Sequence, residues 1–188
     1  MEVSFSKEAL MLRRGSGEVF RGEGILAITK GLLEAGVAYV GGYQGAPVSH
    51  LLDVLVQAEP YMRELGVHVQ ACANEASAAA MLGASIHYPL RGAVTWKSIV
   101  GTNVAADALS NLSSPGVTGG VLIVVGEDYG EGASVIQERT HAFALKSSLS
   151  ARNTFVRNVC SKVRQVSPGR ADLRELRLCV ATIAMHFP

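Results

Sequence analysis

The stretch Gly119-Gly120-Val121-Leu122-Ile123-Val124-Val125-Gly126 decides the fold. Two glycines open it, and five aliphatic residues follow without a polar interruption. A strand wet on one face alternates apolar and polar residues, whereas an unbroken β-branched run suits the centre of a sheet covered on both faces. Towards the N-terminus, short apolar strands are expected at residues 92–96, 67–71 and 37–41. Helical patterns separate them. Residues 22–35 carry Ile25, Ile28, Leu32 and Leu33 on one face and stop at Gly36. Residues 48–64 carry Leu51, Leu52, Leu55 and Val56, with Pro60 as a point of interruption. Residues 74–86 and 100–112 complete the series. Strands alternating with helices predict an α/β domain, a mainly parallel sheet with helices on both faces. Beyond it, a helix is expected over residues 135–149.

In that architecture ligands lie beyond the carboxyl ends of the strands. Four loops leave those ends, at residues 41–47, 72–75, 97–103 and 126–133. The second opens Ala73-Asn74-Glu75-Ala76-Ser77-Ala78-Ala79-Ala80-Met81, one carboxylate at the mouth of a helix of small, uncharged residues. Asn74 is a natural cap, and Glu75 falls in the first turn. Two readings stand at this point. Acids favour helix N-termini because the dipole stabilises them. A lone acid in apolar surroundings can also hold a proton near neutrality, which is a catalytic property.

The 188 residues, 48% hydrophobic and 18% charged, fit one globular domain with a tail and exclude a disordered chain. Residues 1–150 carry ten Lys/Arg and fourteen Asp/Glu, whereas residues 151–188 carry seven and two; together these give the net charge of +1. The expected division is an N-terminal extension at 1–17, the domain at 18–150 and a basic tail at 151–188. Net charge near zero leaves no nucleic-acid footprint, and no apolar run is long enough to span a bilayer. Cys72, Cys160 and Cys179 form no CxxC pair, and His68, His87 and His141 have no companion at ligand spacing, so no metal site is expected. A reduced, cytoplasmic setting is the default expectation.

Four motifs in order carry a resemblance: Gly41-Gly42-Tyr43-Gln44-Gly45-Ala46-Pro47-Val48-Ser49, then Asn74-Glu75, then Trp96-Lys97-Ser98-Ile99-Val100-Gly101-Thr102-Asn103-Val104-Ala105-Ala106-Asp107, then Gly119 to Asp128. Over roughly residues 18–150 the chain resembles the N-terminal pyrimidine-binding domain of the indolepyruvate ferredoxin oxidoreductase family, thiamine-diphosphate-dependent 2-oxoacid oxidoreductases. The resemblance implies the thiamine-binding fold and a role for Glu75, a hydrogen bond to ring nitrogen N1′ that favours the imino form of the neighbouring amino group. It further implies that Gly45, Ala46, Pro47 and Asn103 line the cofactor and that Lys97 and Ser98 face the substrate. On the residues alone, Lys97 fits a surface lysine equally well, and Asn103 with Asp107 fits a polar helix face. The acids Glu127 and Asp128 are poor partners for a diphosphate. Gln44, Ala46 and Val48 depart from the family's Gly-Tyr-Pro-Gly-Thr-Pro-like turn, and Ser98 stands where it has histidine. The lost hydroxyls bear on which substrate is taken.

The resemblance also implies what lies elsewhere. No Gly-Asp-Gly magnesium signature and no cysteine-rich cluster motif is present. Thiamine diphosphate would therefore need its magnesium held by a diphosphate-binding domain or subunit, the iron–sulfur cluster would lie outside this chain, and ferredoxin would serve the complete enzyme. A homo- or hetero-oligomer is expected. The change of charge near Ser150 fits a fragment or altered reading of a longer protein. Two alternatives remain, a small subunit of a thiamine-dependent 2-oxoacid decarboxylase and a non-catalytic α/β assembly module.

Overall fold

A computed structural model describes residues 5–15, 18–98, 100–126 and 183–185. Two glycines set its first strands in motion. Helix α1 spans Ser6–Leu12 and α2 spans Gly24–Glu34. Gly36 follows α2 with φ 73°, where its N–H donates to Leu33 O and the Val37 N–H to Leu32 O. This left-handed stop satisfies the last carbonyls and turns the chain directly into strand β1, Tyr39–Gly42. Helices α3 (Ser49–Gln57) and α4 (Glu59–Glu64) come next, and Gly66, φ 68°, repeats the device before β2, His68–Ala71. The chain continues through α5 (Glu75–Met81), α6 (Ala84–His87), β3 (Arg91–Lys97), α7 (Val100–Val104), α8 (Ala106–Ser113) and β4 (Gly120–Gly126). A short β5, Ile183–Met185, lies at the far edge.

The sheet order is β2-β1-β3-β4-β5. The first four strands are parallel, and β5 runs antiparallel to β4. The expected α/β architecture is therefore present, with helices on both faces. Residues of β4 alternate between two cores, as a period of two demands. Leu122 and Val124 join Val40, Ala93 and the apolar faces of α2 and α3, with Leu12 of α1 in the same cluster. Val121, Ile123 and Val125 join Val94, Trp96 and residues of α5 and α8. All seven residues of β4 are buried, so the uninterrupted aliphatic run is explained by packing on both sides.

Three of the expected long helices are each two shorter ones. Residues 48–64 break at Ala58, just ahead of Pro60, which occupies the first turn of α4. Residues 74–86 break at Leu82–Gly83, and 100–112 at Ala105. Helix α1, which no periodicity announced, is tied down by Lys30. That lysine is 6% exposed, donates from Nζ to Leu12 O at 3.0 Å and pairs with Glu34 at 3.2 Å. The expected helix at 135–149, the acids Glu127 and Asp128, His141, Cys160, Cys179 and the boundary near Ser150 lie outside the described residues.

Candidate functional site

From β1 the chain moves outward to β2, then returns across β1 to β3. The strand order thus reverses between β1 and β3, and their carboxyl ends flank the crevice where open parallel sheets bind ligands. The loops expected there converge. A Cβ added to Gly45 would lie 2.6 Å from Lys97 Cβ, so only glycine lets the turn after β1 press against the end of β3. A Cβ on Gly126 would lie 2.5 Å from Pro47 Cδ and 2.8 Å from Val48 Cγ1. The Ser98 N–H donates to Gly126 O at 2.8 Å. Gly45, Pro47, Lys97 and Ser98 are therefore brought together across three strand ends. Ala46 is exposed beside them, and the Ala46–Pro47 peptide bond is cis. Val48, where the resemblance has a hydroxyl, is 1% exposed and belongs to the α2–α3 core. Gln44 donates to Asp53 Oδ1 of α3 at 2.6 Å, which ties the turn to that helix. Beneath the turn, Thr95 is 1% exposed and its hydroxyl has no partner among the described residues.

Glu75 lies on the other face of the sheet. Asn74 caps α5, its Oδ1 accepting from the Ser77 N–H at 2.8 Å and the Ser77 hydroxyl at 3.0 Å. The cap fixes Glu75 in the first turn, where the helix dipole favours an acid. Glu75 is nevertheless only 7% exposed. A Cβ on Gly101 of α7 would lie 2.8 Å from Glu75 Cγ and 2.5 Å from Trp96 Cδ1. The α7 backbone thus packs against the Glu75 side chain at Cγ, with the indole beside it. Among the described residues no side chain forms an ion pair or hydrogen bond with its carboxyl group, whose oxygens stay open to the outside of the fold.

Trp96 and Lys97 are consecutive on β3 and point to opposite faces, so the acid and the glycine turn flank the same strand end from two sides. The structure does not bring Asn103 to the acid. It is exposed on α7, about 200° round the helix from Gly101. Asp107 lies in the first turn of α8 and accepts from Asn111 Nδ2 at 3.1 Å. A separate open cleft of about 710 Å³ runs along β2 and α5, with Tyr39, His68, Gln70, Cys72 and Met81 in its wall, and Glu75 is not part of it. Sequence reading passed over Thr95 and Gly101. Thr95 lies outside the four motifs and Gly101 was given no role within the third, and only the close approach of neighbouring elements gives them meaning. Among the described residues, no three His, Cys, Asp or Glu side chains gather as metal ligands, and no helix is long and apolar enough to cross a membrane.

No protein-family model matches the chain. Individual relatives do. Indolepyruvate oxidoreductase subunit IorA of Thermococcus kodakarensis is 34% identical over 118 residues, 63% of this chain. The subunits of the same name from Pyrococcus horikoshii and Archaeoglobus fulgidus are 31% identical over 118 residues and 34% over 120. The chain spans only 18–19% of the length of these relatives. The expected resemblance is thus matched by individual proteins: over 118 residues this chain is similar to indolepyruvate oxidoreductase subunit IorA.

Proposed function

We propose that this chain is the pyrimidine-binding portion of a thiamine-diphosphate-dependent 2-oxoacid oxidoreductase, acting on an aryl 2-oxo acid of the indolepyruvate kind. One observation carries the reading: a glutamate 7% exposed, without a side-chain partner among the described residues, fixed at the first turn of a capped helix beyond the sheet's carboxyl edge. Glu75 would hydrogen-bond the ring nitrogen of the aminopyrimidine and so favour the imino form of the neighbouring amino group. The bound cofactor would supply the carbanion chemistry of decarboxylation. Trp96 and the α7 backbone pack beside the Glu75 side chain at Cγ. Lys97, beside the turn of Gly45, Ala46 and Pro47, would attract the substrate's carboxylate, and Ser98 would lie next to it. The diphosphate and its magnesium require a partner domain or subunit, and the electrons pass to an iron–sulfur carrier such as ferredoxin outside this chain. The reading places the protein in the cytoplasm as one component of an oligomer.

The test is a chimera. The matching stretch of the Thermococcus kodakarensis subunit is replaced by this chain's residues, and 2-oxoacid oxidation is assayed with its partner subunit and ferredoxin. Activity in the chimera and a loss of roughly 10²–10⁴-fold in its Glu75→Gln form are expected. Undiminished turnover in that variant ends the assignment of Glu75. A well-folded chimera with no turnover favours a non-catalytic assembly module, and decarboxylation without electron transfer favours a decarboxylase subunit.

A further inference from the structure

The Glu75 side chain is wedged by a contact that its own helix does not make. Trp96, the penultimate residue of β3, is wholly buried and donates from Nε1 to Thr102 Oγ1 at 3.2 Å. Thr102, in α7, is 1% exposed. This bond ties the rigid sheet to a five-residue helix. Between its two ends lies Gly101, where a Cβ would meet Trp96 Cδ1 at 2.5 Å and Glu75 Cγ at 2.8 Å. Side chains do not tolerate such distances, so the backbone of α7 rests directly on both the indole and the acid.

We infer that Trp96 and Thr102 form a positioning clamp for the Glu75 carboxyl group, with Gly101 as the residue that lets it close. Glutamate has three rotatable torsions, and freezing them costs entropy at the moment of binding unless the fold has already done so. Pressed at Cγ between the first turn of α5 and the α7 backbone, the side chain is set in advance of any ligand. Neighbours whose own rotamers are locked are what such preorganisation needs. Trp96 supplies the bulk, and the Thr102 hydroxyl fixes the indole's rotation. Neither touches a ligand; both act through Glu75. The inference rests on the proposed role of Glu75, but its geometry is independent of which ring the acid meets.

The chain holds a single tryptophan, so 5-fluorotryptophan labelling of the full chain gives one fluorine resonance from position 96. A sharp line is expected, displaced by Glu75→Gln because the acid and the indole are neighbours. Thr102→Val keeps the side-chain volume but removes the acceptor; it should broaden or split the line and abolish the response to Glu75→Gln. Thr102→Ser should restore both. Gly101→Ala should move the line by forcing the methyl group into the indole, and it decides the matter if circular dichroism finds Thr102→Val unfolded. A wild-type line insensitive to Glu75→Gln overturns the clamp. So does a folded Thr102→Val chain that behaves as wild type, or an unmoved line in Gly101→Ala. No thiamine is present in these samples, so the clamp and the thiamine reading fail separately.

Discussion

Thr95 is the described side chain with least reason to be polar. It stands in register with Gly42 of β1 and Val124 of β4, 1% exposed, with a hydroxyl unpartnered among the described residues. A buried hydroxyl without a partner carries a desolvation cost of about 1–3 kcal/mol. Thr95→Val keeps the shape and removes that cost, so chemical denaturation should find the variant more stable by on the order of 1 kcal/mol. Tyr39 is the contrasting case. Its ring covers Gly92, and its hydroxyl lies 2.5 Å from Ser85 Oγ and donates to Leu82 O at 3.3 Å. Burial pushes the phenol's pKa above its ordinary 10.0, outweighing the opposing bond with Ser85. The folded state therefore holds this proton more tightly than the unfolded one. Its contribution is complete below pH 10 and is lost as pH rises through the raised folded value. Tyr39→Phe should flatten the alkaline arm of the stability–pH curve, as followed by thermal melts from pH 8 to 11.

At the scale of elements, the cap of α5 is the simplest test of how Glu75 is placed. Asn74→Ala removes the acceptor for the Ser77 N–H and should cost about 1 kcal/mol in denaturant titrations. Thr or Asp at the same position should recover most of it. This cap was legible in the sequence, as were Gly36 as a helix stop and the four parallel strands, because each depends on local chemistry or a period of two. The helix breaks at Ala58, Leu82–Gly83 and Ala105 were mostly not. Apolar spacing continues across them, and only Pro60 signals one. The site divided in the same way. Glu75 stood out as a lone acid, and the glycine turn as a strand-to-helix connection. That Gly45 abuts Lys97, and that Gly101 abuts Glu75, depends on contacts between elements far apart in the chain, which no local pattern encodes.

For the whole molecule, the question is whether α1 and the site belong to one cooperative unit. Leu12 is fully buried among residues of α2 and α3 on one face of the sheet, while Trp96 reports from the opposite face. Lys30 adds a second tie, holding the last carbonyl of α1 from within α2. Truncating a buried leucine leaves a cavity as well as losing transfer energy, and Leu12→Ala should cost about 2–5 kcal/mol. If the two faces unfold together, that loss appears undiminished when melting is followed by Trp96 emission, although the tryptophan touches nothing in α1. Coincident curves from Trp96 emission and far-ultraviolet circular dichroism would then mark a single transition. A Trp96 transition that stays put while the helical signal falls early would make α1 an appendage. The sheet alone would then set the geometry of Glu75. The central strands favour the first outcome, because Leu122 and Val124 on one side and Val121, Ile123 and Val125 on the other alternate along the single strand β4. Loosening either layer exposes part of that strand and so weakens the support of the other.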